Sequence, residues 1–440
     1  MATKRRLQSQ TTKSAKKKDS YESLPLFDAE PEAAASKSAP KKLKKSKSKD
    51  ESSPIKRSKS KGKRSEPSEK SSGKSVHQTA QSMALRQREI SVSEFFAKNR
   101  HLLGFDSLSK ALLTTIKEAV DNSLDACEEA GLLPDIIVEI HELAENRYKV
   151  VIEDSGPGIV KAQVPRIFGK LLYGSKFHSL KQARGQQGIG ISAAGMYAQL
   201  TTGKPVTVIS RTGQGRQAYI YDIQIDTKKN APVITREDTI DWTRDHGTRI
   251  EMEILATYKK GQRSVDTYVH QVAMANPHAH ITYRPPRDAE VVYQRIAESP
   301  PPEPLTIKPH PHGVELGVLM EMLKSTKSRN LRGFLSSEFS RMSPRISHEV
   351  INSAGLKSST SPKRVSRDES EKLIQAFADT KIMKPATNCL SVIGEELLAQ
   401  SMAREFDAAF YKAITRPPAV YRGNPFQIEV ALAYGGRLPD

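Results

Sequence analysis

Residues 114–159 read TTIKEAVDNSLDACEEAGLLPDIIVEIHELAENRYKVVIEDSGPGI, and this stretch decides the fold. In its first half Ile116, Ala119, Val120 and Leu124 continue a helical spacing begun at Leu112 and Leu113, and Gly131 closes it. A long amphipathic helix is therefore predicted from Ser109. Its opposite face carries Glu118, Asp121, Asn122 and Asp125 at i, i+3, i+4 and i+7, a polar stripe along one side. Three carboxylates and an amide in a row suit a hard cation; a solvated helix face is the other reading. The second half, DIIVEIHEL then RYKVVIED, is β-branched and alternating, and predicts two strands followed by a tight SGPGI loop. Asp154 ends the second strand. Gly156 and Gly158 permit positive φ and a close backbone approach to a flat ligand, where a plain β-turn is the alternative.

Working outward, Gly185-Gln186-Gln187-Gly188-Ile189-Gly190 precedes the helix-like ISAAGMYAQL. Glycines ahead of a helix N-terminus expose backbone amides to an anion. Gly247-Thr248 opens a later strand. Helices are expected at 162–172 and 189–200 and strands at 205–211, 217–225 and 247–255, which mixes helix and strand in one layered α/β arrangement. The Pro-rich run from Glu298 to Gly313 marks a domain boundary. Beyond it, 314–375 reads as mainly helical with interruptions at Gly333, Pro344 and Gly355. EELLAQSMAREFDAAFYKAI predicts one long helix over 395–414, and FQIEVALAYGG predicts a strand with nothing after it to pair with, as in a domain that has only begun.

Toward the N-terminus, folded character begins near Ile90 with SVSEFFAKNRHLLGF. Residues 1–80 hold 22 of the 69 Lys and Arg but only 9 of the 50 Asp and Glu, so most of the net charge of +19 sits in this tail and the body is nearly balanced. A composition of Lys, Ser, Ala and Pro cannot bury enough apolar surface to offset chain entropy, and disorder is expected. The lysine runs suit loose attachment to nucleic-acid phosphates or a solubilising tail. Tyr21–Glu32, YESLPLFDAEPE, suits a docking peptide or a spacer.

Length and hydrophobic content, 440 residues at 37%, exceed a mini-protein and suffice for two or three domains. No apolar run of membrane-spanning length and no secretory h-region is present in the sequence. Cys127 and Cys389 make neither a disulfide framework nor a Cys-rich zinc site, and a reducing compartment is expected. Gly169 to Lys176 has the glycine spacing of a P-loop but reverses its Lys and Ser, so it is discounted. His278/His280 and His310/His312 lack the partners of a metal site. Met320, Met322 and Met342 read as core filler, and Trp242 falls in a turn before the Thr248 strand.

Together, the Glu118/Asn122 helix, Asp154-x-Gly156-x-Gly158, Gly185-x-x-Gly188-x-Gly190 and Gly247-Thr248 resemble, in that order, the GHKL (Bergerat-fold) ATPases. That superfamily includes DNA gyrase B, the ninety-kilodalton heat-shock chaperones, histidine kinases and MutL. SVSEFFAKNRHLLGFDS, TTIKEAVDNSLDACEEAGLLPDI, KLLYGSKFHSLKQARGQQGIGISAA and QLTTGKP resemble the B subunits of the type IIB topoisomerases (topoisomerase VI) almost continuously over about 90–440. The resemblance implies a two-layer α/β (α+β) sandwich ATPase, then a helical helix-two-turn-helix domain and the start of an α/β transducer. The expected boundaries are a disordered basic tail at 1–85, the ATPase at 86–300, the helix-two-turn-helix domain at 301–380 and the transducer at 381–440.

The resemblance also implies the site. Glu118 is the general base, and Asn122 ligates Mg²⁺ on the ATP phosphates. Asp154 accepts from the adenine amino group, with Gly156 and Gly158 on the adenine-side wall. Gly185, Gln186, Gly188 and Gly190 contact phosphate from a lid that closes over ATP, with Ser175 and Lys176 approaching it, and Thr248 positions Asp154. The implied cofactors are ATP and Mg²⁺. The implied activity is that of an ATP-hydrolysing B subunit that dimerises on ATP to gate one DNA duplex through a double-strand break. The break is made by the partner A subunit, in an A2B2 heterotetramer that relaxes and decatenates DNA. The compartment implied is the cytoplasm beside the nucleoid, or the nucleus in a eukaryote, without a membrane. In the family a transducer lysine reaches the terminal phosphate; the chain ends before a segment that could supply it, so ATP binding and dimerisation with poor hydrolysis are expected. The rival is an ATP-dependent clamp or scaffold of the MutL or chaperone type acting through protein partners.

Overall fold

A computed structural model describes residues 80–438 apart from 86, 176–178 and 186–187. The lysine runs, the Tyr21–Glu32 island, Lys176 and Gln186 lie outside the described residues. A short helix α1 (Ala80–Ala84) already stands inside the stretch 1–85 expected to be unstructured. Helix α2 (Val92–Lys98) starts at Ser91, whose hydroxyl accepts the Glu94 amide at 3.0 Å. The deciding helix, α3 (Leu108–Glu129), begins after Ser107, whose hydroxyl caps the Lys110 amide, and stops where Gly131 turns to φ +66.

The chain then runs through β1 (Asp135–Ala144), β2 (Arg147–Asp154), α4 (Val164–Gly169), α5 (Gly190–Thr202), β3 (Val206–Thr212), β4 (Ala218–Asp226) and β5 (Ala231–Ile240). It continues with β6 (His246–Leu255), α6 (Val265–Ala275), β7 (His280–Arg284) and β8 (Val291–Tyr293). All eight strands form one sheet in the order β5-β4-β3-β6-β2-β1-β7-β8. Only the β1–β7 pair is parallel.

The alternation seen in the sequence assigns the two faces of this sheet. Tyr148, Val150 and Ile152 of β2 and Ile250, Met252 and Ile254 of β6 point into a core completed by Leu112, Ile116, Val120 and Leu124 of α3 and Met196 of α5. Each such side chain contributes about 1.5–3 kcal/mol by leaving water. The intervening residues face the other way and form a lattice of ion pairs: Arg147 with Glu253, Lys149 with Glu251, Arg249 with Glu251 and Glu153, Arg244 with Glu153 and Asp135. Helices cover one face and paired charges the other, which makes a two-layer α/β sandwich.

One expectation needs correction here. The helix placed at 162–172 is shorter, because at Gly169 a Cβ would stand 2.5 Å from the Pro232 Cβ, and α4 stops where it presses on β5. Strands β5, β7 and β8 and helix α6 are not anticipated by the sequence reading. Trp242 does sit between β5 and β6, packed against Ile209, Ala218 and Ile220.

After the Pro-rich run, α7 (Leu316–Ser325), α8 (Leu331–Glu338), α9 (Pro344–Ser353) and α10 (Arg367–Asp379) enclose a second core around Leu319, Leu335, Val350 and Phe377. Gly333 does not interrupt a helix: it is the third residue of α8, where its amide donates to Asn330 Oδ1 at 2.8 Å as part of the cap. Pro344 opens α9 behind the Ser343 cap. The long helix expected over 395–414 is α11 (Glu395–Glu405) only. Its second half, FYKAIT, becomes β9 (Phe410–Thr415), followed by β10 (Ala419–Tyr421), β11 (Asn424–Phe426) and β12 (Glu429–Tyr434). The last strand does find a partner: β12 pairs backward and antiparallel with β9, from Glu429↔Thr415 to Tyr434↔Phe410.

Candidate functional site

Sheet register builds one end of the site. β2 and β6 bring Asp154 opposite Thr248, and β3 brings Ser210 opposite Thr248 from the other side. Asp154 is 5% exposed. Its Oδ1 accepts from the amides of Gly156 at 2.9 Å and Thr248 at 3.1 Å, and its Oδ2 accepts from Ser123 Oγ at 3.0 Å. Burial outweighs these bonds and pushes the carboxyl up to about 6. Three donors leave a carboxylate with acceptor capacity, and Asp154 lines a cavity. Ser210 Oγ accepts the Ile159 amide at 2.7 Å and donates to the Gly247 carbonyl at 3.1 Å, which fixes the loop beyond Asp154. In that loop Gly158 has φ +70, and a Cβ there would fall 2.0 Å from the Arg211 carbonyl oxygen. Gly156 stands behind the Asp154 carboxylate and outside the cavity lining.

The α3 stripe divides in two. Asp125 is 4% exposed and accepts the amides of Arg184 at 3.4 Å and Gly185 at 3.2 Å and the Arg184 guanidinium at 3.0 Å. Arg184 also binds both oxygens of Glu128 at 2.8 Å. Asp121 accepts from the Tyr268 hydroxyl of α6 at 3.0 Å. Protein groups therefore occupy two of the three carboxylates proposed for a cation. Glu118 and Asn122 are left, neither with a hydrogen-bond partner among the described residues, and both line the cavity. Burial first, and the neighbouring Asp121 charge second, hold the Glu118 carboxyl above the ordinary range, which makes it a stronger proton acceptor than an exposed carboxylate.

Close approach explains the glycine at the start of α5. A Cβ on Gly190 would lie 1.6 Å from Glu118 Oε2, so the carboxylate rests against the helix N-terminus only because the side chain is missing. Helix α5 begins with no side-chain cap on its first amides, which remain available to an anion. A Cβ at Gly185 would meet Asn122 Oδ1 at 3.2 Å, so this backbone runs along the amide.

These groups share a cavity of about 880 Å³, within the range of ligand sites. Of the residues singled out from the sequence, Glu118, Asn122, Asp154, Gly158, Ser175, Gly185, Gly188, Gly190 and Thr248 line it. The lining combines apolar side chains, Ile159, Ile167 and Ile250 among them, with the polar Lys117, Asn122 and Arg184. One end suits a flat heterocycle offering a donor, the other an anion. Sequence reasoning missed Ser123, Ser210, Arg184 and Tyr268. Ser123 and Arg184 adjoin singled-out residues, but Ser210 and Tyr268 reach the site only through sheet register and helix packing.

The histidine pairs serve elsewhere. His278 Nε2 lies 2.8 Å from Glu128 Oε1, and His310 and His312 bond the carbonyls of Met383 and Phe377 at 3.0 and 2.9 Å. Among the described residues no group of three or more His, Cys, Asp or Glu is placed to hold a metal, and no helix is long and apolar enough to cross a membrane.

Comparison with known proteins agrees with this geometry. Residues 108–227 match the family described as histidine kinase-, DNA gyrase B- and HSP90-like ATPase, and residues 385–440 match the topoisomerase VI B subunit transducer. The B subunit of type 2 DNA topoisomerase 6 from Methanosarcina barkeri is 50% identical over 361 residues, covering 82% of this chain and 58% of that protein. Its counterpart in Archaeoglobus fulgidus is 50% identical over 357 residues, covering 81% and 59%. The chain thus spans under two thirds of the length of these relatives. Its sandwich is the GHKL-type ATPase fold, and the chain belongs to the topoisomerase VI B-subunit family.

Proposed function

We propose that the chain binds ATP with Mg²⁺ in the 880 Å³ cavity and hydrolyses it with Glu118 as general base. The observation that carries the reading is the division of labour inside that cavity: a buried, fully anchored Asp154 at one end and the unpartnered Glu118 and Asn122 at the other. Asp154 accepts from the adenine amino group while Thr248 and Ser123 hold its carboxylate. Gly158 and the apolar side chains of the lining take the faces of the ring. Asn122, with a free side-chain carbonyl beside the Gly185 backbone, fits a Mg²⁺ ligand; the ion neutralises phosphate charge. Gly185, Gly188, Gly190 and the uncapped start of α5 offer amides to the phosphates. Glu118, held above its ordinary pKa, takes the proton of the attacking water. Ser175 approaches the phosphates from the cavity rim, and Lys176 and Gln186 are assigned on the resemblance alone.

At the level of the whole protein we infer an ATP-operated gate. Two copies close on ATP and pass one DNA duplex through a break made by the A subunit of an A2B2 assembly. The assembly relaxes or decatenates DNA in the cytoplasm, or in the nucleus of a eukaryote. Residues 301–380 serve as the helix-two-turn-helix domain in this scheme. Val92, Phe95, Leu102 and Leu108 are exposed on and after α2, an apolar surface suited to a second copy.

The test is calorimetry with Mg²⁺-ATP on the wild type, Asp154→Asn and Glu118→Ala, beside sedimentation with a non-hydrolysable analogue. Asp154→Asn is expected to lose at least about 100-fold in affinity, because its amide turns a donor toward Ser123 and the base where an acceptor was. Glu118→Ala is expected to bind within about threefold of wild type and turn over at least about 100-fold more slowly. Wild-type protein that neither binds ATP nor dimerises with the analogue sinks the proposal.

A further inference from the structure

The run Lys181–Arg184 is a partition. Ala183 and Arg184 line the nucleotide cavity, and the same residues with Lys181 and Gln182 line a second cavity of about 700 Å³. That second cavity is also lined by Leu390–Ile393, Pro425–Gln427 and Glu429, inside the segment that matches the transducer family. Between the two stands Gln182. Its amide donates to the Cys389 carbonyl at 2.8 Å, its Nε2 donates to the Ser391 carbonyl at 3.1 Å, and its Oε1 accepts the Ser391 amide at 2.9 Å. A side-chain amide that satisfies both the donor and the acceptor of one backbone residue fixes distance and orientation together.

We propose that Gln182 is a positioning residue that locks the phosphate-side wall of the nucleotide cavity to the transducer segment at Cys389–Ser391, so that nucleotide occupancy and the placement of that segment depend on each other. The inference rests on the ATP-binding reading above. Toward the cavity, two residues from Gln182, the amides of Arg184 and Gly185 are held by Asp125 of α3. Away from it, two residues past Ser391, the amides of Ile393 and Gly394 donate at 2.8 Å to Glu429, which also accepts from Thr415 Oγ1 at 2.8 Å and so reaches β12 and β9. The bonds run without a gap from the helix that carries Glu118 to the β9–β12 pair. Gln182 itself is exposed, and exposed amide bonds add little to global stability. Their consequence is register, and linkage makes it reciprocal: a nucleotide that steadies the wall steadies Ser391, and the reverse.

Contiguity alone does not demonstrate coupling, so the test reads coupling directly. Amide exchange at Cys389–Gly394 is followed in the full chain with and without Mg²⁺ and a non-hydrolysable ATP analogue, in wild type, Gln182→Ala and Gln182→Glu. In the wild type the analogue is expected to slow exchange there by at least about threefold. Both variants are expected to melt at the wild-type temperature without nucleotide and to bind the analogue within about tenfold of wild type, while less than a third of the exchange response survives. A response retained above that level in either variant, or a wild type that binds the analogue and shows no response, overturns the inference and leaves the ATP site standing. No binding by the wild type removes both.

Discussion

At the Asp154 end of the cavity, proposed above to take adenine, both carboxylate oxygens have protein donors, whereas at the other end, proposed to take the phosphates, the side chains of Glu118 and Asn122 have none among the described residues. The first end is built from three paired strands, with Asp154, Thr248 and Ser210 in register on the covered face of the sheet. The second is built from one helix face and a glycine-rich backbone that runs past it. A base-reading site gains from being rigid before the ligand arrives, because its hydrogen bonds then cost little reorganisation. A reacting end has to keep groups unsatisfied for atoms that come with the substrate, and their desolvation shows in the raised Glu118 carboxyl. Perturbing the two ends should therefore give different signatures.

The largest effect is expected at the contact where the phosphate end has no slack. Gly190→Ala places a methyl where Glu118 Oε2 now stands, so the carboxylate has to swing aside. A displacement of about 1 Å in a reacting group costs about 100-fold in rate, whereas the adenine end is untouched. Steady-state kinetics should show turnover down about 100-fold with KM within about threefold. A loss that appears mainly in KM would mean that Glu118 serves binding and would erase the contrast between the ends.

An intermediate effect is expected from pH at the adenine end. The folded-state pKa of Asp154 is about 6 against an ordinary 3.8. The folded chain binds this proton more readily than the unfolded one, so the contribution of this carboxyl to stability is full below about pH 4 and is lost as pH rises through 6. Ligand binding runs the other way, since a donor from the base favours the anion. Adenosine, which carries no titrating phosphate, should bind about tenfold more weakly at pH 5 than at pH 7.5. Flat affinity across that range in calorimetry would place the recognised acceptor elsewhere.

The same contrast explains what the sequence disclosed. The α3 stripe, the glycines and the strand after Asp154 were readable because period, spacing and turn chemistry are local properties. Period and spacing did not say which members of the stripe stay open to a ligand, and only the resemblance singled out Glu118 and Asn122. Asp121 and Asp125 looked equivalent to Glu118 until Tyr268 and Arg184, both more than fifty positions away, were seen to occupy them. The tail of α11 failed for a related reason. FYKAIT extends an apolar helical spacing, but its aromatic and β-branched residues join β12 once that strand is available, and pairing across the chain overrides local preference. Gly333 misled in the opposite sense, since a glycine in the first turn beside an Asn cap opens a helix as well as it ends one.

The smallest expected effect separates anchoring from recognition within the adenine end. Ser123 lies on α3 directly after Asn122, yet its hydroxyl turns to Asp154 Oδ2 at 3.0 Å and does not join the phosphate end. Ser123→Ala removes one of three donors that hold the buried anion, at a cost of about 1 kcal/mol or roughly fivefold in adenosine affinity at neutral pH. Because that donor lowers the Asp154 pKa, its loss should also move the midpoint of the affinity profile to higher pH, and the deficit should widen as pH falls toward 6 and narrow as it rises toward 8. A purely steric role for the serine would lower affinity by the same factor at every pH. A profile displaced along the pH axis shows instead that the rigid end of the cavity is tuned by its hydrogen bonds, and that α3 serves both ends through adjacent residues.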